Sequence, residues 1–287
     1  MEILKTEHLR FVYSPGTPFE KTAIDDISIT VSEGEFIGII GHTGSGKSTL
    51  VQHLNGLLKP TGGKVFVMGQ DIHRKGGSLR DVRFKVGLVF QYPEHQLFDE
   101  TVYKDIAFGP TNMGLGESEI KERVRYAAKF TGLSEDLLEK SPFDLSGGQK
   151  RRAAIAGVIA MMPKILILDE PTAGLDPGGR DEILEQINQY RKQTGTTVLL
   201  VSHSMEDIAE HADRVLVLNK GRLMFFDTTE RVFRHSRELE QIGLQVPDVT
   251  KTFLLLRDMG MPVDTGVYTV EDAADQLKKI FAGVKGC

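Results

Sequence analysis

Short uninterrupted apolar runs punctuate the first three-quarters of the chain, and their length and β-branched content predict buried strands. They are Phe36 to Ile40, Val86 to Phe90, Ile165 to Leu168, Thr197 to Val201 and Val215 to Leu218. Helical patterns separate several of them. Such alternation predicts an α/β layer with a largely parallel sheet, whose ligands collect beyond the carboxyl ends of the strands. Earlier, Ile3 to Tyr13 and Ala23 to Val31 alternate more loosely around a Pro/Gly-bearing turn at Ser14 to Pro18, the pattern of an antiparallel β subdomain. From about Tyr92 to Met161 strand signals vanish, while Ile120, Val124, Ala127, Ala128 and Leu133 mark one face of a helix continuing to the Gly132 region. This predicts a helical insert. After Gly221 the pattern becomes amphipathic helix, and Thr269 with Asp272 forms a capping-box pattern ahead of Val270, Ala273, Leu277 and Ile280. The expected division is a core domain over 1–222, with its insert at about 92–161, and a C-terminal helical domain over 223–287. The last apolar stripe fits packing within the chain or dimerisation.

Composition narrows the function. The 287 residues are 40% hydrophobic and 26% charged, ordinary for a globular protein. A net charge of −5 lacks the basic excess that would point to nucleic acid as the main ligand. The single cysteine, Cys287, permits no intrachain disulfide and agrees with a reducing compartment. The start, Met1 to Lys5, does not read as a signal peptide, and no stretch approaches the roughly 18 to 20 apolar residues that span a bilayer. If a membrane is involved, another chain is expected to cross it.

Gly41-His42-Thr43-Gly44-Ser45-Gly46-Lys47-Ser48 matches G-x-x-x-x-G-K-[ST], directly after a strand pattern and ahead of a helix pattern from Lys47 to Leu57. Glycines let backbone N–H groups turn inward around phosphate oxygens, and the helix N-terminus adds its positive dipole end. Lys47 is expected to bridge the β- and γ-phosphates, Ser48 to offer its hydroxyl to magnesium, and Thr49 to add a phosphate contact. Further on, the apolar run Ile165 to Leu168 ends abruptly in Asp169 and Glu170. Two carboxylates at the mouth of a buried strand suit a cation and a water: Asp169 for the magnesium shell, Glu170 to polarise the attacking water. Alone, the pair also reads as the start of a solvated turn, Pro171 to Gly174. His203 alone reads as a structural or exposed histidine, yet it follows the strand Thr197 to Val201 at the edge where a γ-phosphate would lie. Gln91 similarly ends a strand and can touch the magnesium shell or the water, or simply cap a turn.

Leu145-Ser146-Gly147-Gly148-Gln149 opens a helix pattern running to Ala160, with Ser146 suited as N-cap and two glycines exposing backbone N–H groups. By spacing this is either a second anion site or an ordinary capped helix. Taken together, and in this order, the phosphate loop, Gln91, the Leu145 signature, the Ile165 strand, Asp176 in Ala-Gly-Leu-Asp and His203 resemble the ATP-binding-cassette ATPases over roughly Met1 to Arg222. The resemblance implies a P-loop NTPase fold, ATP and Mg2+ as cofactors, and a head-to-tail pair of cassettes in which the signature of one completes the ATP site of the other. It also implies that Tyr13 stacks on adenine and that Asp176 communicates across the pair. A single copy of each motif argues against two fused cassettes.

Phe90-Gln-Tyr-Pro-Glu-His-Gln-Leu-Phe98, with Thr101-Val102, Phe108-Gly-Pro110 and the C-terminal helices, is further similar to the energy-coupling-factor transporter ATPases. Pro171 to Pro177 and Ser14 to Phe19 look closer to the second of that group's two paralogues. The resemblance implies a peripheral ATPase on the cytoplasmic face of the cell membrane, powering uptake of a vitamin or transition-metal ion. Its implied partners are a second ATPase subunit, a transmembrane coupling protein facing Tyr92 to Leu97, and a membrane substrate-binding protein, with no nucleic acid. Another importer class is the main rival reading. Chromosome-type ATPases would need a long coiled coil between Gly41 and Ile165, and ribosome-acting ones usually carry two cassettes.

Overall fold

Each apolar run feeds two cores at once. In the computed structural model, which describes residues 1–284, Phe36 and Ile40 join one buried cluster while Ile37 and Ile39 join another, and Leu166 and Leu168 separate from Ile165 and Ile167 in the same way. Side chains of a strand point to opposite faces in turn, so an unbroken apolar run marks a sheet covered on both sides.

Among the described residues, ten strands form two sheets: β1 (Glu2–Tyr13), β2 (Lys21–Ser32), β3 (Phe36–Ile40), β4 (Gly62–Val67), β5 (Gln70–Asp71), β6 (Val86–Val89), β7 (Ile165–Asp169), β8 (Thr197–Val201), β9 (Arg214–Asn219) and β10 (Arg222–Thr228). The central sheet has the order β10-β9-β3-β8-β7-β6, parallel except for β10, and the antiparallel sheet has the order β2-β1-β4-β5. The helices are α1 (Lys47–Leu54), α2 (Leu79–Lys85), α3 (Val102–Asn112), α4 (Glu117–Phe130), α5 (Gly147–Ile159), α6 (Pro177–Thr194), α7 (Met205–His211), α8 (Thr229–Arg234), α9 (Ser236–Gln241), α10 (Asp248–Asp258) and α11 (Val270–Val284). One core packs the central sheet against β1, β2, β4 and α1. The other packs it against α3 to α9.

The α/β class, the antiparallel start and the strand-free stretch from Tyr92 to Met161 agree with the sequence reading. Three boundaries differ. The first helix stops at Leu54, not Leu57, because Gly56 turns into the left-handed region at φ 72°. Helix α4 stops at Phe130, and Leu133 is brought back onto its face when its N–H donates to the Ala128 carbonyl after left-handed Gly132. The sheet also runs beyond residue 222, where helices were expected. Lys220 and Gly221 both have positive φ, the two-residue hairpin turn that folds β10 back onto β9 with Asn219 opposite Arg222.

In the C-terminal segment, Thr269 Oγ1 accepts from Asp272 N–H at 3.2 Å, as a helix cap should, but the Asp272 carboxylate meets the threonine hydroxyl at 2.6 Å. Ala273 is buried and Leu277 and Ile280 pack beside Phe253, Val263 and Val267 of the same chain, whereas Val270 faces outward. Cys287 lies outside the described residues.

Gly38 is where β3 meets α7 most closely: a Cβ there would come within 2.7 Å of the Ile208 side chain and 3.3 Å of Ala212. Gly38→Ala should therefore destabilise the protein by about 1–3 kcal/mol through overpacking, read as a lowered denaturant midpoint at unchanged slope.

Candidate active site

Parallel pairing sets the site. β8 lies between β3 and β7, with Ile39 opposite Val201 and Val201 opposite Asp169, so the loops leaving these three strands emerge side by side. The Glu170 N–H donates to the Val201 carbonyl at 3.0 Å and the Ser202 N–H to the Ile39 carbonyl at 3.4 Å, extending the ladder into those loops.

After β3 the chain wraps tightly. Gly46 has φ 105°, and a Cβ there would approach the Ala23 carbonyl oxygen of β2 at 2.6 Å. At Gly41 a Cβ would meet the Leu218 carbonyl and Ser45 Oγ, each at 2.5 Å. Only glycine fits either position. Lys47 is buried, and its ammonium donates to the Gly41 carbonyl at 2.6 Å and the His42 carbonyl at 3.2 Å. Burial holds its pKa below the usual lysine value, opposed by the nearby Glu170 and Asp169 charges. Ser45 Oγ is buried within the loop without a partner.

Behind Ser48 stands Asp169. Burial raises its carboxyl above the usual range, while a hydrogen bond with Ser48 opposes the rise. Glu170 has φ 53°, a left-handed conformation unusual for its type and common where function imposes strain. Its carboxylate is held at both oxygens: His203 Nε2 lies 2.7 Å from Oε1, and Gln91 Nε2 donates to Oε2 at 2.8 Å. Residues following two neighbouring strands thus converge on the carboxylate that follows a third.

Tyr13, Thr43, Gly44, Gly46, Lys47, Ser48, Thr49, Gln91, Glu170 and His203 line one cleft of about 300 Å³, joined by Lys21 and Ala23. Tyr13 is partly exposed, and its hydroxyl lies 3.2 Å from Thr49 Oγ1. Gly41 and Ser45 form the loop from behind, and His42 turns aside to Asn219 Oδ1 at 3.3 Å. The signature is not part of this cleft. Ser146 instead closes a full capping box on α5, accepting from Gln149 N–H while its own N–H donates to Gln149 Oε1 at 3.0 Å. A Cβ at Gly147 or Gly148 would meet nothing within 4 Å, so the backbone there is open to an approaching group. Asp176 also stands apart, as the N-cap of α6 accepting from Gly179 N–H at 2.8 Å.

A model of the ABC transporter family matches residues 24–173, from the second strand to just past Glu170. The chain belongs to the ABC transporter ATPases. It is 54% identical over 282 residues to the energy-coupling factor transporter ATP-binding protein EcfA2 of Caldanaerobacter subterraneus subsp. tengcongensis, covering 98% of this chain and 99% of that one. Its identity to the EcfA2 of Clostridium acetobutylicum is 53% over 283 residues, with the same coverage. These relatives place it in the energy-coupling-factor group, as an ATP-binding and ATP-hydrolysing subunit. Among solved structures, cbiO1 from Clostridium perfringens, part of an ABC transporter complex, superposes with TM-score 0.73 at 40% identity, covering 86% of this chain and 97% of that one. A dimeric ATP-binding cassette in a post-hydrolysis state, bound to ADP and Pi, gives TM-score 0.72 at 27% identity over 79% of this chain and 99% of that one.

Several neighbours of the site escaped the sequence reading. Lys21 is one, although it sits directly opposite Tyr13 across the β1/β2 hairpin, a pairing the strand pattern could have yielded. Arg180 is another: Nη2 lies 2.8 Å from Asp207 Oδ1, tying α6 to the helix that follows His203. A third is the ion pair between Arg151 of α5 and Glu94, whose closest contact is 2.7 Å. No local pattern marks pairs that lie 27 and 57 residues apart.

Burial is the largest single influence on the Glu94 carboxyl and would raise it, but the Arg151 hydrogen bonds and charge, with a backbone hydrogen bond and the His95 charge, together hold the pKa below the usual glutamate range. A depressed folded pKa adds stability above the unfolded value, lost as pH falls through the folded one. Glu94→Gln should therefore lower the unfolding free energy by about 1–3 kcal/mol at pH 7. The gap to wild type should shrink as pH falls below the usual glutamate range and close once Glu94 is protonated in the folded protein, as followed by thermal melts across pH.

Proposed function

We propose that the chain is the ATP-driven motor subunit of an energy-coupling-factor importer, with Glu170 as the base that polarises the attacking water. The observation carrying this reading is the carboxylate clamped between Gln91 and His203 beside the phosphate loop. Gly41 to Ser48 cradle the phosphates through inward N–H groups and the α1 N-terminus. Lys47 exchanges its loop carbonyls for β- and γ-phosphate oxygens, and Thr49 adds a contact. His203 donates to the γ-phosphate, and Gln91 orients the water. Tyr13 stacks on adenine from the rim of the cleft. Phosphoryl transfer then depends on alignment and charge stabilisation rather than on a covalent enzyme intermediate.

The residues at the loop fit a magnesium ion. Ser48, Asp169 and Gln91 offer only oxygen donors, the choice of a hard cation, and leave room for nucleotide oxygens and water in its shell. There the ion would neutralise phosphate charge.

The open backbone at Ser146, Gly147 and Gly148, lying outside the chain's own cleft, supports a head-to-tail pair in which the signature and Gln149 face a second ATPase's nucleotide. Asp176 then lies near the same junction. The ATP-binding domain, with its insert at about 92–161, extends past residue 222 in this reading, because β10, α8 and α9 join the central core, and the C-terminal helical domain follows it. Exposed Leu255, Met259, Val270 and Phe281 support dimer packing by that last domain. Tyr92, Phe98 and Phe108 are exposed within the insert, with the two phenylalanine rings edge to face at 5.0 Å, a surface suited to a transmembrane coupling protein. No helix among the described residues is long and apolar enough to cross a membrane. In this reading the chain acts from the cytoplasmic face, with a membrane substrate-binding protein selecting a vitamin or transition-metal ion.

Glu170→Gln should lower kcat by about 10²–10⁴-fold while ATP binding persists, because only the proton acceptor is lost. Steady-state phosphate release and equilibrium nucleotide binding decide this together, and normal turnover would remove Glu170 from the role. Replacing Tyr92 and Phe98 by alanine should reduce co-purification with membrane chains from detergent extracts while leaving ATP affinity unchanged.

A further inference from the structure

Arg151 is almost completely buried, 3% exposed, one turn beyond the start of α5. A guanidinium stays charged in proteins, so burial requires that its donors be paired. Its Nε donates to Glu94 Oε2 at 3.0 Å and its Nη2 to Glu94 Oε1 at 2.7 Å, a two-bonded fork. Its Nη1 donates to the Ala173 carbonyl at 2.6 Å. Glu94 stands three residues after Gln91, and Ala173 three residues after Glu170. The Ala173 N–H donates in turn to the Glu170 carbonyl at 3.2 Å, closing a tight turn. One side chain therefore holds, through the Glu94 carboxylate and the Ala173 carbonyl, both segments whose leading residues meet in the Gln91–Glu170 hydrogen bond. The same side chain is fixed to the helix that Ser146 caps.

We infer that Arg151 is a positioning residue for ATP hydrolysis, joining the segments after Gln91 and Glu170 to the signature helix so that the three move as one body. It reaches neither nucleotide nor water itself. This extends the proposed function and rests on Glu170 as the base. Lysine cannot replace the arrangement, since an ammonium carries no planar fork to satisfy a carboxylate and a separate carbonyl together.

The test compares Glu94→Gln, Arg151→Lys and the double variant in the full-length chain with its co-purifying partners, measuring kcat, KM and equilibrium ATP binding. Each single change should lower kcat at least tenfold, with KM and ATP affinity within threefold of wild type. The double variant should be no slower than the slower single one, because the two residues act as a unit. A kcat within twofold of wild type for Glu94→Gln overturns the inference, as does a loss of ATP binding equal to the loss of rate. If Arg151→Lys fails to fold, Glu94→Gln, near in shape and partly solvated, decides alone. Failure of the base assignment is separable: it appears as normal turnover of Glu170→Gln, whatever the Glu94 and Arg151 variants do.

Discussion

The parallel pairing of β3, β8 and β7 is the constraint on which the rest depends. Strand order places the phosphate loop, His203 and the Asp169–Glu170 pair on neighbouring strand ends, although more than a hundred residues separate Gly41 from Asp169 in the chain. Parallel strands require crossover connections, and these carry the insert and α6 that cover the sheet's second face. The apolar alternation that buries both faces and the convergence of polar groups at one edge are therefore two consequences of one register. A slip of one residue would exchange the two cores and pull Glu170 out of reach of His203.

Within that frame the site is held by charge held against charge. Glu170 takes one partner from β6 and one from β8. Lys47 rests on loop carbonyls near two carboxylates, with its pKa lowered by burial. Asp169 is buried and raised, with Ser48 at its side. Each group is only partly compensated within the chain, which suits a cleft that receives a highly charged ligand and its cation. Around it, Arg151 and Arg180 pin the surrounding helices with buried or half-buried ion pairs, so the loops of the cleft are anchored a few residues from Gln91, Glu170 and His203.

The signature helix shows a different economy. Its cap is satisfied internally, yet its glycines face open space away from the chain's own cleft. Under the proposed head-to-tail pairing, one polypeptide would present two half-sites to different nucleotides.

Much of this was legible in the residues alone. Phe36 to Ile40 and Ile165 to Leu168 could only be doubly buried strands, because nothing polar interrupts them. Gly41 to Ser48 required glycine at left-handed turns, and an abrupt Asp169–Glu170 at a strand end announced chemistry. These signals are local, carried by period, spacing and backbone conformation, and local physics is what a sequence displays directly. The hairpin at Lys220-Gly221, the clamp of Gln91 and His203 on Glu170, and the Arg151 fork to Glu94 and Ala173 were not legible in this way. They pair residues far apart in the chain, and a side chain's partner at such separation is chosen by strand order and helix packing. Sequence named the candidate residues for the chemistry; tertiary structure decided which of them touch, because hydrogen bonds and ion pairs act over a few ångströms that only the folded register brings about.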